Sequence, residues 1–376
     1  MKKNFIQLLK PNISEAAIKA VVSVLRSGWI GLGPKTAEFE KKFAKYIGVK
    51  YAVALNSCTA ALHLALIVNG IKEGDEVITT PLTFVSTNHV ILYQKAIPVF
   101  ADIDPKTYCL DPLSIERMIS KKTKTIIAMH YGGHPCDLDR IYQIAKKYNL
   151  KVIEDAAHAC GASYKNKKIG SFGLTCFSFH AVKNLPVGDG GMITTNSKEQ
   201  YERLNKLRWL GIDKSTYNRT TNDKKKTGTY AWQYDVPEVG YKYHMNDINA
   251  AIGIEQLKLL NKQNIYRRKL AAIYNQKLKN SDIISLPYTS PNIITSQHLY
   301  VIQVKRRDDL IAKLKASGIA PGVHYIPNNT YPMYKKCRAD IKNVTKIAKN
   351  IISLPIHTLM TKNDIYQISK IINQGW

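Results

Sequence analysis

Lys183 stands in a setting built for carbonyl chemistry. It follows the apolar and aromatic run Phe177-Ser178-Phe179-His180-Ala181-Val182 and precedes Asn184 and the glycine-rich stretch Gly188-Asp189-Gly190-Gly191. An isolated lysine is normally solvated, but one held in a desolvated cleft loses basicity and can condense with a carbonyl compound as a Schiff base. Upstream, Lys151-Val152-Ile153-Glu154-Asp155-Ala156-Ala157-His158 reads as an apolar strand ending in two carboxylates and a histidine. A carboxylate at a strand end can pair with a pyridine nitrogen and keep it protonated, which turns the ring into an electron sink. Asp155 is the candidate, although an Asp placed after a strand also reads as a helix N-cap.

Three further positions extend this chemistry. Asn56-Ser57-Cys58-Thr59-Ala60-Ala61 follows a strand pattern and opens a helical one, where backbone amides and the helix dipole favour a phosphate; plain capping is the other reading. Ser178, five residues before Lys183, offers a phosphate a hydroxyl or serves as a core serine. Phe84 can stack on an aromatic ring or belong to the core. His130, His134 and Cys136 sit among Gly132, Gly133 and Pro135 with a spacing that matches no common zinc pattern, so a turn and no metal are expected.

The elements that must position these residues alternate in type. Ser14 caps a helical pattern to about Arg26, with Ile18, Val21, Val22 and Leu25 on one face and Gly28 ending it. A second helix runs from near Pro34 to Gly48. β-rich runs at 51–55, 76–80, 97–103, 125–130 and 151–155 are separated by segments of helical length, the signature of a largely parallel sheet with crossover helices. Ligands in such sheets gather outside the carboxyl ends of the strands. From Asn246 a helical pattern leads to about Lys277, followed by a strand near 299–304 and a helix near 307–317. The expected organisation is a large α/β domain over 1–250 and a smaller α+β domain over 251–376, without internal repeats.

At 376 residues, 45% hydrophobic and 22% charged, the chain has the composition of a globular protein and not of a disordered or fibrous one. No stretch is apolar enough to span a bilayer. The opening Met1-Lys2-Lys3, with few apolar residues before Lys10 and Pro11, is too short for a signal peptide. Six cysteines with no paired spacing read as reduced thiols, so a cytoplasmic location is expected. The net charge of +27 attracts polyanions or a small anionic substrate. It is dispersed in clusters at 121–122, 165–168 and 224–226 without the arginine-and-aromatic pattern of a nucleic-acid module, so neither nucleic acid nor membrane is expected as a partner.

Taken in order along the chain, these segments resemble the DegT/DnrJ/StrS-type nucleotide-sugar aminotransferases. The likeness covers 28–34, 56–62, 74–78, 81–86, 130–132, 154–158, 177–184, 188–192, 240–247 and 324–327. It implies the pyridoxal 5'-phosphate (PLP)-dependent transferase fold of type I. By this resemblance Lys183 is the lysine that holds the cofactor aldehyde and later moves protons, Asp155 partners the pyridine nitrogen, and His158 contacts the ring's phenolic oxygen. Phe84 is the stacking aromatic, and Cys58, Thr59 and Ser178 are phosphate contacts. Asn246 matches a residue that reaches the phosphate of the neighbouring subunit's cofactor, implying a homodimer with shared sites. His324 and Tyr325 match a loop associated with the sugar substrate. Asp189 stands where the family usually has glutamate, and Asn328-Asn329 where another histidine is common; both departures lie near expected substrate positions.

The function implied is transfer of an amino group from glutamate to a nucleotide-linked keto-sugar, with a 4-keto-6-deoxyhexose preferred, for glycan or surface polysaccharide synthesis. A related branch carries histidine in place of the lysine and removes a hydroxyl instead, so Lys183 favours transamination over a dehydratase. A non-catalytic nucleic-acid-binding regulator is the reading from another class, kept open by the charge and opposed by the intact Lys183 and Asp155.

Overall fold

The computed structural model describes residues 5–213 and 234–376; the lysine cluster at 224–226 lies outside them. Seven strands form the central sheet: β1 (Tyr51–Leu55), β2 (Glu76–Thr79), β3 (Ile97–Phe100), β4 (Thr123–Met129), β5 (Lys151–Asp155), β8 (Leu174–Ser178) and β9 (Gly191–Thr195), in the order β1-β9-β8-β5-β4-β2-β3. β9 runs against both its neighbours, while β2, β3, β4, β5 and β8 pair in parallel. The five β-rich runs of the sequence are all strands of this sheet. β8 and β9 are the additions, built from the apolar run before Lys183 and from the glycine-rich stretch after it.

The helices start and stop where local chemistry dictates. Ser14 caps Glu15–Ser27 by accepting from the Ala17 amide, and Gly28, in the left-handed region at φ 74°, ends it. Ser57 caps Cys58–Val68 by accepting from the Ala60 amide at 3.0 Å. That helix is apolar all round, because it packs between the sheet and the helices Val85–Tyr93 and Lys198–Leu207. The first helix differs from expectation. Ala17 and Val24 face inward, while Ile18, Val22 and Leu25 are exposed on the single chain, so its apolar stripe is not a face of this chain's core.

Two cores sandwich the sheet, one led by Phe39, Phe43, Phe177 and Phe179, the other by Leu55, Leu62, Leu64 and Ile153. A third gathers Ile6, Leu270, Tyr274, Tyr300, Leu314, Ile352 and Ile368. Over it lie β10 (Ile283–Ser285), β12 (Tyr300–Val304) and β13 (Ile351–Leu354) as an antiparallel sheet. β6 (Ser163–Tyr164), β7 (Lys167–Lys168) and β11 (Ile293–Ile294) form a small third sheet. The helix Asp247–Lys277 packs on the first two helices and then feeds Leu270, Ala271 and Tyr274 into the third core. Ile6 joins that same core, through backbone hydrogen bonds to Gly318 and Ala320.

Candidate active site

At the carboxyl edge of the sheet a cavity of about 320 Å3 is lined by Cys58, Thr59, Phe84, Asp155, His158, Ser178, Lys183, His324 and Tyr325, together with Thr87, Asp189 and His298. The parallel strands converge here. β5 ends at Asp155, β8 ends at Ser178, and antiparallel β9 begins at Gly191 opposite both Ser178 and Leu55, which brings Asp189 and Gly190 to the same rim.

Asp155 is 2% exposed. One carboxylate oxygen accepts from the Thr87 hydroxyl at 2.7 Å, the other from the Ala157 amide at 3.0 Å. The amide bond closes a local turn, and no helix starts here, so helix capping does not explain the residue. Burial raises its pKa above the ordinary value against the pull of those two bonds and of Lys183. A desolvated carboxylate with two neutral donors lacks a cation.

Lys183 is half-buried at the cavity wall, and desolvation lowers its amine to about 8, with Asp155 pulling the other way. Its Nζ lies 3.5 Å from His298 Nε2. His158 accepts from the Gly132 amide at Nδ1, 3.2 Å, so in the neutral ring Nε2 carries the proton and donates to the Tyr325 hydroxyl at 2.9 Å. Burial holds His158 well below the usual imidazole value and lowers His324 to about 4; His324 Nδ1 pairs with the Ser353 hydroxyl at 2.8 Å.

Phe84 is 57% exposed, with its ring 6.1 Å from that of Tyr325; it is not a core residue. Ser178 lines the cavity from the end of β8. The helix beginning at Cys58 leaves the amides of Cys58 and Thr59 without intrahelical acceptors. Gly191 lets this helix start come close, since a Cβ there would stand 2.3 Å from the Ser57 carbonyl oxygen.

Asn246 does not line the cavity. Its side chain caps the helix Asp247–Lys277 by accepting from Asn249 N at 2.9 Å, and Asn249 in turn donates to the Asp189 carbonyl at 2.5 Å. Asn328 does not line the cavity either. It is turned away from the cavity and 1% exposed, accepting from Asn88 at 2.8 Å and donating to the Thr83 carbonyl at 2.9 Å, so it ties the loop after β2 to the C-terminal segment. Asp189, by contrast, does line the cavity.

His130, His134 and Cys136 belong to a turn. His130 accepts from the Cys136 amide and meets Glu154 at 3.1 Å, and Glu154 also accepts from Tyr142 at 2.7 Å. Among the described residues no group of three or more His, Cys, Asp or Glu is arranged to hold a metal ion.

Thr87 and His298 were not singled out from the sequence. Thr87 lies one turn past Thr83, its hydroxyl partner at 2.8 Å. His298 ends the polar run Thr295-Ser296-Gln297-His298, separated from β12 by Leu299 alone, and buried polar residues in a row beside an apolar strand are the signal for it.

The arrangement fits PLP: a carboxylate lacking a cation for the ring nitrogen, an amine of lowered basicity for the aldehyde, an exposed aromatic for the ring face and a helix start for the phosphate. Comparison with known proteins agrees. The DegT/DnrJ/EryC1/StrS aminotransferase family matches residues 11–373. The spore coat polysaccharide biosynthesis protein SpsC of Bacillus subtilis is 40% identical over 97% of this chain and 95% of its own length. The sugar aminotransferase CalS13 from Micromonospora echinospora has a TM-score of 0.90 at 30% identity, covering 99% of this chain and 100% of its own. The PLP form of Spr1654 from Streptococcus pneumoniae has a TM-score of 0.89 at 33% identity, covering 98% of each chain. The chain belongs to the DegT/DnrJ/EryC1/StrS aminotransferase family, and it is a PLP-dependent enzyme of fold type I.

Proposed function

We propose that the enzyme moves an amino group from glutamate to a keto-sugar carried by a nucleotide, with a 4-keto-6-deoxyhexose as preferred acceptor, in polysaccharide synthesis. The observation that carries this reading is the meeting of Lys183 and Asp155 in one cavity. Similarity to SpsC and CalS13 supports the sugar acceptor.

When bound, PLP supplies an electron sink for the carbon attached to the transferred nitrogen. Asp155 keeps the ring nitrogen protonated, and Thr87 and the Ala157 amide hold its carboxylate in place. Lys183 would hold the cofactor aldehyde, and its Nζ would take a proton from the donor carbon and deliver one to the acceptor carbon; a pKa of about 8 keeps both forms of the amine accessible near neutrality.

Cys58, Thr59 and Ser178 hold the phosphate, Phe84 stacks on the ring, and His158 donates towards its phenolic oxygen through the contact it now makes to Tyr325. His324 and Tyr325 face the sugar. The net charge of +27 draws the diphosphate. Asn246 serves the neighbouring subunit's site in a homodimer; the exposed Ile13, Ile18, Val22 and Leu25 around the first helix support such a pairing.

The test is incubation of the purified enzyme with glutamate and a panel of keto-sugar nucleotides, following products by mass. An amino sugar together with 2-oxoglutarate is expected. Loss of oxygen without gain of nitrogen overturns the reading in favour of a dehydratase.

A further inference from the structure

We propose that His298 is the positioning residue for the catalytic amine: an imidazole locked in one tautomer by a buried amide relay, presenting its Nε2 lone pair to Lys183 Nζ. This rests on the reading of Lys183 as the proton-moving group and adds a residue to it.

The tautomer follows from the partners. Asn184 Nδ2 donates to Asn264 Oδ1 and to the Ser296 carbonyl, both at 2.8 Å, and Asn264 Nδ2 donates to the Cys160 carbonyl at 3.0 Å. With its two N–H groups taken by carbonyl oxygens, Asn184 turns its own Oδ1 to His298 Nδ1 at 3.0 Å, so Nδ1 carries the proton. His298 is 1% exposed, and its backbone amide donates to the Gly132 carbonyl at 3.0 Å. Burial, then the charge of Lys183, keeps the ring neutral, with a pKa well below the ordinary imidazole value. Nε2 is therefore a bare acceptor 3.5 Å from Nζ, and the only direction for that bond is from lysine to histidine.

A neutral acceptor suits this amine better than a carboxylate. It steers a long, flexible side chain without trapping it as an ammonium. The other groups facing Lys183 are Asp155 at the end of β5, Cys58 at the helix start, and the rings of His158 and His324. None of these makes a hydrogen bond to Nζ within the described residues. The relay also crosses the molecule, since Asn264 belongs to the helix Asp247–Lys277 and His298 to the approach to β12.

The test reads the lysine directly. In the full-length chain freed of cofactor, the pH dependence of Lys183 acetylation, followed by peptide mass, should have its midpoint near 8. His298→Leu removes the acceptor from the ammonium and should move the midpoint down by about one pH unit. His298→Gln supplies an acceptor oxygen and should restore it. In the holoenzyme the glutamate half-reaction should slow about 100-fold in H298L, with H298Q much closer to the parent.

An unmoved midpoint in H298L, or a glutamine variant no better than leucine, overturns the proposal. Nitrogen NMR of the unsubstituted chain gives a test free of folding effects: protonated Nδ1 and bare Nε2 are expected at neutral pH, and the opposite tautomer overturns it. If borohydride fails to fix the cofactor to Lys183 in the parent enzyme, the reading of Lys183 itself falls; a fixed lysine with an unshifted H298L sinks the His298 assignment alone.

Discussion

Two couples of base and acid, Arg208 with Glu40 and Lys183 with Asp155, are built in opposite ways. Arg208, 7% exposed, donates to Glu40 and to the Ala54 carbonyl at 2.9 Å, while Glu40 also accepts the Ala54 amide at 2.8 Å. The pair ties the helix Pro34–Ile47 to β1 and to the end of Lys198–Leu207. Lys183 and Asp155 share a cavity instead, and among the described residues Lys183 makes no ion pair at all. The closed pair gives its charges to architecture. The open one keeps a desolvated acid and a weakened base short of partners, which is the condition for using them on a ligand.

Substitutions can break this contrast. Lys183→Ala should have the largest effect, a loss of transamination of at least about 10,000-fold, with no borohydride fixation of PLP and a melting temperature of the cofactor-free chain no lower than the parent's. Glu40→Ala should do the reverse, destabilising the fold by about 3–5 kcal/mol because it strands the Arg208 charge, while the folded fraction keeps its turnover. A stability loss in the first or a turnover loss in the second would erase the distinction.

Asp155→Asn should lower turnover by about 100- to 1,000-fold with little change in denaturant midpoint. Thr87→Val, which removes one donor from the Asp155 carboxylate, should cost about tenfold and move the acid limb of the kcat/KM profile to higher pH, because the carboxylate loses a bond that lowers its pKa.

The last test concerns pH and stability. Lys183 titrates near 8 when folded and in the ordinary lysine range when unfolded, so between those values the unfolded chain binds more protons. The cofactor-free enzyme should therefore gain stability, relative to Lys183→Met, as pH rises above about 8. Parallel curves for the two proteins would show that the amine is not desolvated.

The strands and most of the site are legible from local sequence. The five β-rich runs, the caps at Ser14 and Ser57, and the helix after Asn246 depend on periodicity and on hydrogen bonds spanning three or four residues. Cys58, Thr59, Phe84, Asp155, Ser178 and Lys183 could be nominated because strand ends and helix starts converge in such a sheet, while His158, His324 and Tyr325 were nominated by the family resemblance; all nine line one cavity. The same local logic misses β8 and β9, the apolar run before Lys183 and the glycine-rich stretch after it, which become strands through pairing with β5, with β1 and with each other.

The order of elements and the residue types brought to each strand end follow from contacts between near neighbours in the chain. Tertiary structure decided which of those groups lose water and what they then face. His298 reaches Lys183 across 115 residues, and Asn328 turns inward to Asn88 across 240. Such partners are set by how the phenylalanine-led core and the third core pack around the helix Asp247–Lys277. Desolvation is a property of that packing, and the reactivity of the amine follows from it.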